Sequence, residues 1–195
     1  MRVLCVVVDV GIVLYMDEHV HESDEAVVLD VCASNQERYA VLVSRYQSKL
    51  LRYATNLIND EQKAKDVVQE TFIKAFINLK GFDTSKKFSS WIYRIAHNEA
   101  MNIVKKHKKE VRLPESFEME SEQDIEADYA EREIHDEIHK CLTMLPIIYA
   151  EPLLLRYIEE KTYEEISHIL RIPVGTVGTR INRAKKIMKH LCPRQ

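Results

Sequence analysis

The sequence predicts an all-α protein made of two small helical domains, and three observations lead there. Gly (4) and Pro (5) are scarce among 195 residues, of which 46% are hydrophobic and 30% charged. Apolar residues recur at steps of three and four over long stretches, the period of a helix with one buried face. Finally, charge falls in blocks that divide the chain. Lys86 to Lys109 holds seven Lys/Arg and one acidic residue, Glu99, and Arg171 to Gln195 holds seven Lys/Arg and no acidic residue. Between them, Glu110 to Glu137 holds twelve Asp/Glu against Arg112 and Arg132. The net charge of −3 conceals two basic segments separated by an acidic one.

The elements run in order along the chain. Met1 to Met16 is apolar but too short to span a bilayer, Asp9 interrupts it, and no small-residue cleavage site comes after it. A short strand, a loose tail or a start assigned upstream of Met16 all fit. Asn35 to Asn59 reads as a helix with Tyr39, Leu42, Val43, Tyr46, Leu50, Tyr53, Ala54 and Leu57 on one face. Asp60 caps the next helix, whose stripe is Ala64, Val67, Val68, Thr71, Phe72, Ala75, Phe76 and Leu79, and Gly81 ends it. After a loop from Phe82 to Phe88, a third helix starts near Ser89 or Ser90 and runs into Lys105 to Lys109. Residues 110 to about 132 lack a clean period and contain Pro114, as a linker does. The second domain opens with Ile134, Ile138, Cys141, Leu142 and Leu145, and a further helix covers Tyr149 to Ile158.

The C-terminal segment carries the most interpretable motif. Thr162-Tyr163-Glu164-Glu165 is a capping box that starts a helix with Ile166, Ile169 and Leu170 facing inward. Arg171-Ile172-Pro173 makes a turn, because Pro173 cannot continue the preceding helix. The last helix buries Val177, Ile181, Ala184, Met188 and Leu191 and turns Thr176, Thr179, Arg180, Asn182, Arg183, Lys185 and Lys186 outward. Two helices joined by a tight turn, the second with a polar and basic outer face, form a DNA-reading helix-turn-helix. Arg bonds bidentately to guanine and Asn to adenine, while Lys and Thr position phosphates.

Together these residues resemble a known family, the extracytoplasmic function (ECF) sigma factors of RNA polymerase. Asp66-Val67-Val68-Gln69-Glu70-Thr71-Phe72 with Ala75-Phe76 is similar to region 2.2. Phe88-Ser89-Ser90-Trp91-Ile92-Tyr93-Arg94-Ile95-Ala96 with Asn98 and Asn102 is similar to regions 2.3 and 2.4. Leu145-Pro146, Leu154-Leu155-Arg156-Tyr157, Thr162 to Ile166 and Ile172 to Val177 are similar to region 4, and Arg180, Arg183 and Ala184 continue it. The division implied is an N-terminal extension (1–32), a region 2 domain (33–109), an acidic linker (110–136) and a region 4 domain (137–195).

The resemblance implies roles and partners. Asp66, Gln69, Glu70, Ile73 and Asn78 would dock on the β′ clamp of core RNA polymerase, and region 4 on the β flap. Ile73 and Ile77, apolar but off the core stripe, fit such a surface or packing on an N-terminal helix. Phe88, Ser89, Ser90, Trp91, Asn98 and Asn102 would hold the melted −10 element, with Lys105, Lys106, Lys108 and Lys109 on its phosphates. Trp91 equally suits a core anchor. Thr176, Thr179, Arg180, Asn182, Arg183 and Lys186 would read the −35 element of promoter DNA. An anti-sigma factor is a further implied partner. Gly178 and Ser167 depart from the family's pattern, as does Arg171, which stands in the turn where Gly or Asn is usual and so is expected to take a left-handed conformation.

No catalytic constellation stands out: there is no Walker A loop, GxGxxG or HExxH, so neither an enzyme, a cofactor nor a small-molecule substrate is expected. His135, His139 and Cys141 are too few to fix a metal without another ligand, and no metal site is expected. The four cysteines, without a CxxC pair, suit a reducing cytoplasm. The competing function is a stand-alone helix-turn-helix regulator acting without polymerase.

Overall fold

The structure, a computed structural model, describes residues 22–110 and 141–191. The apolar N-terminus, the acidic linker, Ile134 and Ile138, and His135 and His139 lie outside them, as do the side chains of Lys108 and Lys109. Regular structure among the described residues is helical throughout.

Helix α1 (Asp24–Ala33) starts at Ser23, whose hydroxyl accepts from the Ala26 amide, and buries Val27, Val28 and Val31. The sequence pattern assigns this stretch no more than an extension of uncertain structure. Arg45 of α2 (Tyr39–Ile58) pairs with Asp24 at 2.8 Å, and Arg38 clasps Glu22 and Asp30, so α1 is tied to the second helix. A single 3₁₀ turn (Gln36–Arg38) joins the two. Helix α2 buries Leu42, Tyr46, Leu50, Tyr53 and Ala54. It ends on Asn59 in the left-handed conformation (φ 56°), which Asn tolerates better than most residues.

Asp60 caps α3 (Glu61–Asn78) by accepting from the Lys63 amide at 3.0 Å. Thr71 is fully buried, and its hydroxyl donates back to the Val67 carbonyl at 2.7 Å. The end of α3 differs from expectation. The chain tightens into a 3₁₀ turn (Leu79–Gly81) instead of stopping on a left-handed glycine. Phe76, assigned to the buried stripe, is 41% exposed.

Helix α4 (Phe88–Glu110) begins at Phe88, whose amide donates to the Glu25 carboxylate of α1 at 2.8 Å. A side chain from another element thus satisfies a helix-terminal donor. Phe88 is fully buried among Tyr46, Phe82 and Trp91, with ring centroids 5.6, 5.7 and 5.6 Å away.

The second domain comprises α5 (Ile147–Tyr157), α6 (Tyr163–Leu170) and α7 (Val174–Leu191). The capping box is complete: the Thr162 hydroxyl accepts from the Glu165 amide, and the Thr162 amide donates to the Glu165 carboxylate. Arg171 takes the left-handed conformation in the turn (φ 55°). Ser167 supports that turn, since its hydroxyl donates to the Ile172 carbonyl at 2.6 Å. Met188 is half-buried and Leu191 exposed, so the apolar stripe of α7 thins toward its end. Cys141 is disulfide-bonded while Cys32 is free, unlike the reduced thiols expected for all four cysteines.

The two domains pack against each other, with α6 on α4 and α5 on α2, and one apolar cluster runs through both. A polar seam crosses the contact. Glu151 accepts from the Tyr53 hydroxyl at 2.5 Å, and His97 Nδ1 lies 2.5 Å from the same oxygen. Glu159 receives a two-pronged contact from Arg52 at 2.9 and 3.0 Å and the Tyr93 hydroxyl at 2.5 Å. These glutamates are only 5% and 7% exposed. No buried side-chain polar atom among the described residues lacks a partner. That satisfaction is what makes the burial tolerable, because stranding one half of a buried ion pair costs about 3–5 kcal/mol.

Candidate nucleic-acid interface

Three surfaces carry the residues that the sequence singles out. On α3, Asp66, Gln69, Glu70, Ile73, Phe76 and Ile77 fall along one outer strip at helical spacing. Ile73 is 46% and Ile77 71% exposed, so α1 does not cover them. With Phe76 they form an apolar patch flanked by Asp66 and Gln69, both exposed. Glu70 pairs with Lys74 at 3.3 Å, and Lys74 reaches Glu99 of α4 at 2.7 Å. Asn78 does not join the strip: it lies about 140° round the helix from Ile73, and its amide donates to the Lys74 carbonyl.

On α4, Trp91, Asn98, Asn102 and Lys105 share one face. Asn98, Asn102, Lys105 and Lys106 are exposed, and Trp91 is half-buried against Phe82 and Phe88. Trp91 therefore combines the core anchor and the surface residue. Two of the expected contacts turn inward. Phe88 has no exposed surface because it opens the helix instead of ending the loop, so it supports Trp91 from below. Ser89 hydrogen-bonds the buried Tyr46 hydroxyl, whose pKa is raised by burial and by the neighbouring Asp24. Ser90 lines a cleft of about 560 Å³ with Trp91, Arg94, Lys86, Lys87 and, from the second domain, Glu164 and Glu165. Arg94, part of the motif quoted from the sequence but given no role there, lines the cleft as well. Three residues past Trp91 and four before Asn98, it sits beside their face of the helix. Burial and the nearby Arg171 both disfavour the Arg94 cation.

On α7, Val177, Ile181 and Ala184 are buried, which sends Thr179, Asn182, Arg183 and Lys186 to solvent. Thr176 and Arg180 flank that face and are half-buried. The Thr179 hydroxyl donates to the Thr176 carbonyl at 2.9 Å, one turn back along the same helix. Arg183 lies over the Tyr149 ring of α5 at 5.5 Å, and Lys185 over Tyr157 at 4.8 Å. Each cation is thereby held on an aromatic face at the edge of the outer surface. An α-helix presenting Asn, Arg and Thr from a two-helix support has the dimensions and donors for a major groove. No group of three or more potential metal ligands occurs among the described residues.

Comparison with known proteins agrees in both halves. Residues 42–110 match the family model for Sigma-70 region 2, and residues 135–188 that for Sigma-70, region 4. ECF RNA polymerase sigma factor SigW of Bacillus subtilis is 33% identical over 175 residues, covering 83% of this chain and 92% of the relative. The RNA polymerase sigma-H factor of Pseudomonas aeruginosa is 35% identical over 178 residues, covering 85% and 91%. Among solved structures, the sigma factor RpoE of Bartonella quintana, in complex with the anti-sigma factor NepR, superposes with a TM-score of 0.67 at 25% identity, covering 80% of this chain and 98% of that one. CnrH, in complex with the cytosolic domain of CnrY, shares the fold at a TM-score of 0.68 and 24% identity, covering 87% and 97%. Two helical domains, a helix-turn-helix with its polar face outward, and matches over both regions make one assignment: the chain belongs to the ECF sigma factors, which direct RNA polymerase to promoters for transcription initiation.

Proposed function

We propose that the three surfaces divide the work of initiation. The α3 strip of Asp66, Gln69, Glu70 and Ile73, extended by Phe76 and Ile77, docks on the β′ clamp of core polymerase. The α4 face of Trp91, Asn98 and Asn102 receives unstacked bases of the −10 element, and Lys105 and Lys106 hold its phosphates. Arg94 belongs to this face. Thr179, Asn182, Arg183 and Lys186 of α7 engage the −35 duplex, and region 4 also meets the β flap. The protein acts in the cytoplasm, performs no catalysis of its own, and is held in reserve by an anti-sigma factor, the kind of partner with which RpoE of Bartonella quintana crystallised. No helix among the described residues is long and apolar enough to cross a membrane, which is compatible with that location.

The observation that carries the division is the exposed apolar patch of Ile73, Phe76 and Ile77, 46, 41 and 71% exposed. Leaving it in water forgoes burial, and a partner that covers it recovers that burial. The test is transcription in vitro with core polymerase on a pool of promoter fragments. Initiation at a discrete subset of promoters is expected. Tight binding of the protein alone to duplex DNA, with no initiation, would establish the stand-alone regulator instead.

A further inference from the structure

We propose that −35 specificity is set partly from outside the helix-turn-helix: Tyr149 of α5 is a positioning residue that holds the Arg183 guanidinium at the reading face of α7 and leaves its N–H donors free for a base. The proposal rests on the assignment of the α7 face to the −35 duplex.

A long side chain on an exposed helix face has many rotamers, and fixing one of them on binding subtracts from affinity. An arginine that is to bond a guanine edge bidentately gains from being held beforehand. The holder must not use up the donors that read the base. A carboxylate would do so, because it accepts two of the guanidinium N–H bonds and cancels the charge. An aromatic ring does neither: it attracts the cation through its quadrupole and takes none of those bonds. Arg183 is exposed and makes no ion pair among the described residues. Its guanidinium lies 5.5 Å from the centre of the Tyr149 ring, within the ~6 Å over which that attraction acts.

The ring is a fixed point. Tyr149 stands in the first turn of α5, where its amide donates to the Pro146 carbonyl at 2.8 Å. Leu153, one turn on, is buried, and Tyr149 is itself half-buried against the apolar core. Its hydroxyl makes no hydrogen bond among the described residues, so the ring face is what the side chain offers. Helix α5 packs along α7, which brings a support on one element beside a reader on another. The pairing recurs farther along α7. Lys185 lies 4.8 Å from the ring of Tyr157, the last residue of α5 and 54% exposed. An ammonium is a point charge suited to a phosphate, so this second ring holds a charge where the first holds a reader.

The test uses holoenzyme on a promoter from the initiating pool and on its single-base variants across the −35 element, at several salt concentrations. Tyr149→Leu should lower discrimination at the base that Arg183→Ala also affects by about two- to fivefold, the worth of one exposed cation–π contact, with the salt slope unchanged. Tyr149→Met, equally apolar and without a ring, repeats the measurement if circular dichroism shows the leucine variant unfolded. Tyr149→Phe keeps the ring and should discriminate as the wild type does. Tyr157→Leu should weaken all sequences alike. Combined with Arg183→Ala, Tyr149→Leu should change base preference no further. A tyrosine that only packs would lower stability and leave base preference untouched, which overturns the proposal. Equal loss in Tyr149→Phe overturns it too, because the hydroxyl would then be a DNA contact. If Arg183→Ala itself leaves base preference unchanged, the reading role of Arg183 fails first and the proposal falls with it.

Discussion

At the scale of single residues, α7 separates reading from positioning. Arg183 follows Thr179 by one turn, shares its face, and is steadied by the Tyr149 ring at 5.5 Å. Lys186 lies farther along the exposed face, where a phosphate contact suits it. Arg183→Ala should cost about 1–3 kcal/mol of promoter binding and relax preference at one or two bases. Lys186→Ala should weaken all sequences alike and lower the salt slope by about one. Titrating holoenzyme against single-base promoter variants at several salt concentrations decides it; exchanged behaviours would reverse the two roles. Arg171 offers a stability test at the same scale. Its left-handed conformation (φ 55°) favours glycine, and Arg94 stands close enough to feel its charge. Arg171→Gly should therefore stabilise the protein by about 1 kcal/mol, read as a raised denaturant midpoint. A lowered midpoint would mean that the arginine makes a contact worth more than the strain. This residue was legible through the family resemblance, in which Gly or Asn is usual at its place in the turn. Phe88 was not, since one residue's difference in where a helix starts moves a side chain from loop surface to core.

At the scale of elements, local rules recovered most of the helices. Asp60, the Thr162–Glu165 box and the Pro173 turn each bear a chemical signature, and each forms as its chemistry dictates. Helix α1 escaped because its three buried valines come after an apolar run with no helical period, and its strongest ties are long-range. Glu25 on the Phe88 amide and Asp24 on Arg45 and Tyr46 cannot be seen from spacing. Phe76 escaped for the converse reason. It continues the stripe of α3, but its ring leans on Tyr39 at 5.0 Å and leaves its other side to solvent. The strip it joins makes an element-scale prediction. Gln69→Ala with Ile73→Glu removes one polar contact and places a charge on the apolar patch, without touching a buried residue. Core polymerase binding should fall by more than about 1 kcal/mol, with circular dichroism unchanged. Retained affinity in a pull-down would take the strip out of the docking surface.

For the whole molecule, the legible part was the division into two helical domains, and the hidden part was how they meet. Glu151 and Glu159 look like solvated helix residues in the sequence, because nothing local marks a glutamate that will be buried by another domain. Their donors are separated from them by as many as 107 positions. The rim of that contact gives a pH prediction. Partial burial raises the pKa of Glu165, but the Thr162 amide and the Lys87 ammonium, with Lys161 nearby, outweigh it and hold the carboxyl below its ordinary 4.5. A depressed carboxyl pKa stabilises the form that depresses it above the ordinary value. That contribution is lost as pH falls through the depressed one. The contact between domains should thus be intact at neutral pH and weaken in acid, below about pH 4.5. The scattering radius should rise there before the helical signal is lost. Lys87→Ala removes one of the groups that hold the proton off Glu165, so its opening should begin at higher pH than in the wild type. It should leave the capping box of α6 in place, because the Thr162 amide still bonds Glu165 at 2.8 Å. Identical acid profiles for the wild type and Lys87→Ala would show that the Lys87–Glu165 pair contributes nothing to the contact between domains.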